Sequence, residues 1–203
     1  MGVRKKWDLP SEHRAALLVL SAVFLLGGGL GCLFAALANE AGAQELADYL
    51  ADYLSLALDG RLPRGLWVVL WRQLKYLLAA LVLGLTALGV VGLPLLFGAQ
   101  GFAFTFSVAC FCRVFGVRGL FPAFAIFGVP ALLWVPALFF VGPPGFLSAQ
   151  RRLRLSLGEG GGSPLNGGFW PRAGLCTALG LAAGLLEYWA VPVLLRTAAR
   201  LVL

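Results

Sequence analysis

Long apolar stretches, separated by short polar or glycine-rich segments, make up most of this chain. They are near-continuous, unlike the ten-residue alternating strands of a transmembrane barrel. Since backbone N–H and C=O groups find no water in lipid, each stretch is predicted to form a helix. The pattern predicts an all-α polytopic membrane protein, a single integral membrane domain over residues 1–203, with five spans and an exterior amphipathic helix. The spans are predicted at about 15–38, 76–97, 102–115, 120–141 and 173–195.

Glycine and proline residues, which interrupt helices, indicate the boundaries of the predicted spans. The Gly98-Ala99-Gln100-Gly101 sequence is predicted to form a tight turn between the second and third spans. Pro143 and Pro144 are predicted to end the fourth span, and a basic loop over residues 148–172 to follow it. Kinks are expected within the fourth span at its prolines, which cannot donate backbone hydrogen bonds: Pro122, Pro130 and Pro136.

The first span has a competing interpretation as a signal peptide, because Ala36-Leu37-Ala38 resembles a cleavage site. Its apolar stretch is longer than the roughly 7–15 residues of a signal-peptide apolar region, which favours a retained helix. Gly27 and Gly31 form a G-x-x-x-G pair in this span, and Gly180 and Gly184 form another in the last span. Such pairs let another helix approach closely.

Residues 40–75 form an amphipathic, predicted exterior segment between the first two spans. Within it, Ala47-Asp48-Tyr49-Leu50 repeats as Ala51-Asp52-Tyr53-Leu54, and the apolar positions recur at helical spacing. One interpretation is a helix that lies on the protein's own spans or in the interface. The other is a docking face for a partner protein, formed by Tyr49, Leu50, Tyr53 and Leu54. Further along, Trp67, Trp71 and Lys75 are typical of an interfacial belt.

Composition agrees with a membrane protein: 60% of the residues are hydrophobic, 12% are charged, and the mean hydropathy is +0.89. The net charge of +7 is assigned to loops near anionic lipid headgroups, so membrane lipid and not nucleic acid is the expected partner. The basic cluster before the first span predicts a cell-membrane protein with a cytoplasmic N-terminus and an exterior C-terminus. That cluster contains Arg4, Lys5, Lys6 and Arg14.

The sequence predicts neither catalysis nor a cofactor or metal. The only histidine is His13, which precedes the first span, and the four cysteines fall within spans, where small apolar packing is the ordinary role. Glu187 breaks the apolar pattern of the last span. An ionisable residue at membrane depth is a functional hypothesis by default. A structural anchor, an inter-subunit contact in a homo-oligomer, and proton or substrate handling are the three interpretations.

Two motifs resemble a known family. The Gly92-to-Phe102 sequence GLPLLFGAQGF and the Leu185-to-Leu195 sequence LLEYWAVPVLL, with its E-x-x-x-x-P ending, resemble stage II sporulation protein M of endospore-forming bacteria. The order of elements along nearly the whole chain resembles that family too. One departure is that Ala131 and Leu132 follow Pro130, where the family carries polar residues.

The resemblance implies a function in forespore engulfment. It implies a non-enzymatic membrane scaffold that anchors and recruits two exterior peptidoglycan-degrading partners, stage II sporulation proteins D and P. The alternative is a small transporter or permease subunit, which broken spans and Glu187 would support.

Overall fold

A computed structural model describes residues 11–37, 40–58, 65–158 and 169–202. The described residues are helical throughout apart from short turns, and they contain no strand. Four stretches among them are long and apolar enough to cross a membrane, and the longest, residues 89–156, contains two long helices. The helices are α1 (Ser11–Leu37), α2 (Glu40–Leu58), α3 (Leu66–Gly84), α4 (Gly89–Phe115), α5 (Leu120–Ala123), α6 (Val129–Ser156) and α7 (Phe169–Val202).

The prediction of a turn at residues 98–101 is wrong, because α4 runs through these residues without interruption. The turn lies earlier, at residues 85–88, where Leu85 N–H donates to the Leu81 carbonyl and Gly89 N–H to the Thr86 carbonyl. Gly98 and Gly101 instead lie where α4 packs against α1. The predicted second span therefore divides between α3 and α4, and the predicted third span is the second half of α4.

The region around α6 also differs from the prediction. Pro143 and Pro144 lie inside α6, which continues to Ser156, so the predicted loop begins with helix and its residues 159–168 lie outside the described ranges. Prolines are tolerated in membrane helices where neighbouring groups satisfy the freed carbonyls. Upstream, the backbone passes through a 3₁₀ turn at Gly116–Gly119 and a π-helical turn at Phe124–Gly128.

Close backbone contacts give the helix directions. Gly98 lies against Val23, and Thr105 lies against Gly28, so α1 and α4 run parallel. Gly84 lies against Gly145. Helix α6 runs antiparallel to α4, because Gly89 pairs with Ala149 and Phe97 pairs with Gly142. A Cβ added at Gly89 would lie 2.9 Å from Ala149 Cβ, and one added at Gly142 would meet the Phe97 ring.

The N-terminal end of α1 meets the C-terminal end of α6, where Arg151 lies 3.5 Å from Glu12. Helix α7 runs antiparallel to α3, because Gly180 lies against Leu77 while Gly184 lies against Leu70. Residues 11 and 202 consequently lie at opposite ends of the bundle. Helix α2 lies at the end opposite residue 11, between the C-terminal end of α1 and the N-terminal end of α3.

Buried apolar side chains of the described residues form two clusters. The larger one joins α1, α3, α4, α6 and α7 around Leu20, Phe97 and Leu138. The smaller one joins α2, α4 and α7 with the π-helical turn, around Leu54, Phe111 and Val191. Trp134 belongs to the larger cluster and Ile126 to the smaller one, and both line the same cavity. The boundary between the two clusters is therefore where a candidate site lies.

Candidate functional site

A cavity of about 230 Å³ lies between the two apolar clusters, and helices α3, α4, α6 and α7 contribute to its wall. Glu187 of α7 is 2% exposed and is the one buried charged side chain within the described part of the chain. Glu187 takes part in an interaction with another group of the chain. A buried charge in an apolar bundle is tolerated only with such compensation.

The other polar groups of the cavity come from different helices. Lys75 and Tyr76 come from α3, Gln100 and Ser107 come from α4, and Trp134 comes from α6. Lys75 Nζ lies 4.8 Å from the centroid of the Tyr76 ring, within cation–π range. Ser107 Oγ donates to the Ala103 carbonyl of its own helix at 2.8 Å. The cavity thus brings together polar side chains of α3, α4 and α6, and its α3 side is open, since Lys75 is exposed.

Trp134 carries an unsatisfied donor. The residue is 6% exposed, and its indole Nε1–H has no acceptor among the described residues. A buried donor without an acceptor costs about 1–3 kcal/mol. An unsatisfied donor in a buried position is typical of a site where a ligand or a water molecule accepts the hydrogen bond.

Backbone irregularity coincides with the cavity. Ile126 and Phe127 lie in the π-helical turn, Pro130 follows one turn later, and all three line the cavity. Pro130 has no N–H to donate to the preceding turn, and π-helical turns occur often at functional sites. This irregular segment shapes the α6 side of the wall.

The sequence pointed to Glu187 but missed the rest of this cavity. The sequence pattern places Lys75 in an interfacial belt, whereas it lies near the middle of α3. The pattern places Gln100 in a turn, whereas it lies near the middle of α4. The signal that identifies both residues is the position of the span boundaries. With spans at residues 66–84 and 89–115, Lys75 and Gln100 are polar residues at membrane depth, which marks them as functional candidates.

Part of the predicted docking face on α2 is buried against other helices of the same chain. Leu50 and Leu54 are 7% and 0% exposed and belong to the cluster that contains Val191 and Leu195 of α7. Residues four apart share a helix face, so burying this pair turns neighbouring positions outward. Tyr49 is 68% exposed. The Tyr53 side chain lies outside the described residues.

The glycine pairs of the first and last spans lie at helix contacts. Gly27 and Gly31 face α4, where a Cβ at Gly27 would lie 2.1 Å from the Gly98 oxygen. Gly180 and Gly184 face α3, where added Cβ atoms would meet Leu77 and Leu70 at 2.4 and 2.7 Å. Gly27 and Gly31 therefore hold α1 on α4 at a distance that larger residues would not permit, because their nearest neighbours are backbone atoms. The nearest neighbours of Gly180 and Gly184 are the ends of leucine side chains, which can shift.

These features define the class: an all-α polytopic membrane protein with a cavity of mixed polar and apolar lining in its helix bundle. Comparisons of the chain with family models, with curated proteins and with solved structures give no match. Among the described residues, no three His, Cys, Asp or Glu side chains cluster so that they could hold a metal ion.

Proposed function

We propose that this chain is a non-enzymatic membrane scaffold that anchors and recruits peptidoglycan-degrading proteins during forespore engulfment. One observation carries the proposal: α2 is fixed to the bundle by Leu50 and Leu54 while Tyr49 projects outward. Exposed tyrosines are enriched among the residues that dominate protein–protein binding energy. A helix fixed on one side and open on the other can hold a partner at a constant position relative to the membrane.

The exposed surface of α2 is acidic as well as aromatic. Glu45, Asp48 and Asp52 are all exposed, and they flank Tyr49 along the helix. Rim charges of one sign raise the association rate with a partner of opposite charge and have less effect on the final affinity. A partner surface with a basic rim and a pocket for the Tyr49 ring fits this arrangement.

The proposed partners are stage II sporulation proteins D and P, as the resemblance of the two sequence motifs implies. In this account the partners cut peptidoglycan, and this chain supplies membrane anchoring and position. Glu187 was a further candidate for partner binding. Because it is 2% exposed, a partner could reach it only through a group that enters the cavity.

The proposed location is the cell membrane, with the N-terminus cytoplasmic and the C-terminus exterior. Arg14 near the start of α1 and Arg151 and Arg154 near the end of α6 lie at one end of the bundle. An excess of cationic residues marks the cytoplasmic side of short loops. Helix α2, at the opposite end, would then face the exterior, where peptidoglycan is.

The experiment that tests the proposal is affinity capture of the tagged full-length chain from detergent-solubilised membranes of sporulating cells, read by mass spectrometry. The unmodified chain should enrich peptidoglycan hydrolases, and Tyr49→Ala should lose most of that enrichment. Trp67→Ala is the matched control, since Trp67 is an aromatic residue 75% exposed at the start of α3, outside α2. Equal capture by Tyr49→Ala and the control would exclude α2 as the docking face.

A small transporter or permease subunit is the second candidate, and the polar cavity at Glu187 favours it. Binding sites of secondary transporters lie near the bilayer midplane beside interrupted helices. Loss of solute uptake in vesicles on Glu187→Gln, together with unchanged hydrolase capture, would move the function to this candidate.

A further inference from the structure

We propose that the cavity between α3, α4, α6 and α7 binds a small zwitterion that carries one carboxylate and one ammonium group, of the size of a free amino acid. This site goes beyond the scaffold function and does not depend on it. The carboxylate of the ligand would lie near Lys75 and Trp134, and its ammonium group would lie near Glu187.

The first support is the pairing of opposite charges in one wall. Lys75 lies on α3 and Glu187 on α7, and both residues line the cavity. A neutral wall with one charge of each sign matches a ligand that carries both signs, whereas a simple anion or cation would meet a like charge. Glu187 already interacts within the chain, but a carboxylate has about four acceptor sites and can also accept from an ammonium group.

The second support is the depth of Lys75. Helix α3 runs from Leu66 to Gly84, so Lys75 is near its midpoint, and its side chain is exposed rather than packed away. A cation at the middle of a membrane helix is stable only beside water, a counter-charge or a polar cavity. A ligand carboxylate in the cavity supplies that counter-charge.

The third support is a set of hydrogen-bond donors in the cavity wall. The Trp134 indole N–H has no acceptor among the described residues, and Gln100 adds an amide to the same wall. An acceptor-only carboxylate uses such donors, which an ammonium group cannot do. The Phe127 ring also lines the cavity and is suited to an ammonium group through cation–π contact.

Size and apolar lining restrict the ligand further. The cavity of about 230 Å³ is smaller than the roughly 300–1,000 Å³ of pockets for drug-sized ligands. Phe104, Ile126 and Ala131 supply an apolar part of the wall. Together these features favour a compact amino acid with a small apolar side chain.

The test uses the purified full-length chain in lipid nanodiscs and equilibrium binding of radiolabelled L-leucine, with the other amino acids as competitors. Isopentylamine and 4-methylpentanoate are the matched probes, because each keeps the isobutyl side chain and Cα of leucine but lacks one of the two charged groups. We expect at least one amino acid to bind, and to compete at least tenfold better than analogues that lack either charge. Equal competition by an amine or an acid, or no binding by any amino acid at millimolar concentration, would overturn the proposal.

Variants test the placement of the ligand carboxylate. Lys75→Met keeps the length of the side chain and removes its charge, so it should weaken amino-acid binding at least tenfold while leaving the amine analogue unaffected. Trp134→Phe removes only the indole N–H and should weaken the amino acid severalfold. Trp67→Phe, outside the cavity, is the control. If Lys75→Met fails to fold, Trp134→Phe decides, and unchanged binding by a folded Trp134→Phe would contradict the placement of the carboxylate.

Discussion

Gly27 of α1 and Gly98 of α4 bring two helix backbones into direct contact, because a Cβ added to Gly27 would lie 2.1 Å from the Gly98 carbonyl oxygen. Gly101 makes the same kind of contact, with a Cβ position 2.1 Å from the Phe24 oxygen. In a membrane, where apolar burial between helices adds little, such close packing is a main source of helix association. The α1–α4 pair is therefore held by backbone proximity.

Gly27→Ala should separate α1 from α4 and lower the free energy of unfolding by about 1–3 kcal/mol, the usual cost of overpacking. Gly29→Ala is the matched control in the same helix, since a Cβ there would meet no atom within 4 Å. Thermal or denaturant unfolding of both variants in detergent measures the difference. Equal stability of the two variants would contradict the packing of α1 on α4.

Thr105 links the same two helices through its hydroxyl. Its Oγ1 lies 2.8 Å from the Gly28 carbonyl oxygen of α1 and 2.7 Å from the Gly101 carbonyl oxygen of α4, so one proton is shared. Thr105→Val should cost about 0.6 kcal/mol, the average for interhelical hydrogen bonds in membranes. Thr197→Val is the control, because Thr197 bonds only the Val193 carbonyl of its own helix in the described contacts. Detergent unfolding should show a larger loss for Thr105→Val than for the control.

Arg113 caps the end of α1 from the end of α4. Its Nη1 donates to the Ala35 and Ala36 carbonyls, which belong to the last turn of α1 and have no partner further along that helix. Arg113→Gln should lower the free energy of unfolding by about 1.5–3 kcal/mol, the range for hydrogen bonds from charged groups. Arg118→Gln, on the next turn, should change stability by less than about 0.5 kcal/mol. A neutral Arg113→Gln in the same unfolding assay would show that α1 does not need this cap.

Leu54 holds α2 on the bundle. It is fully buried in the cluster that contains Phe111 and Leu195, so Leu54→Ala should cost about 2–5 kcal/mol and raise the protease sensitivity of α2. Leu56→Ala on the same helix, where Leu56 is exposed, is the control. Limited proteolysis that cuts both variants at the same rate would show that the buried face of α2 does not fix the helix.

The helical class and most apolar segments could be predicted because lipid permits few alternatives to a continuous apolar helix. The continuation of α4 through Gly98–Gly101, where the sequence predicts a turn, could not be predicted. Glycine serves both tight turns and close helix contacts, and the contacts that decide between them come from Phe24 and Gly27, more than 70 residues earlier in the chain. A local pattern carries no information about such a partner.

The residues of the cavity could likewise be predicted from the sequence only in part. Glu187 could be found because a single carboxylate in an apolar span is conspicuous. Lys75 follows Trp67 and Trp71 at helical spacing, a pattern that an interfacial belt would also produce. Only the true start of α3 at Leu66 places Lys75 at mid-helix. Tyr49 and Leu50 adjoin in sequence, and only the packing of α2 separates the exposed residue from the buried one.

The central claim is that the exposed face of α2 recruits the partners. The most direct measurement places a photo-crosslinking amino acid at position 49, and in a second strain at position 67, in the full-length chain in sporulating cells. The account predicts crosslinks from position 49, and not from position 67, to peptidoglycan hydrolases with exterior domains. Crosslinks from position 49 to lipid alone, or equal hydrolase crosslinks from both positions, would contradict it.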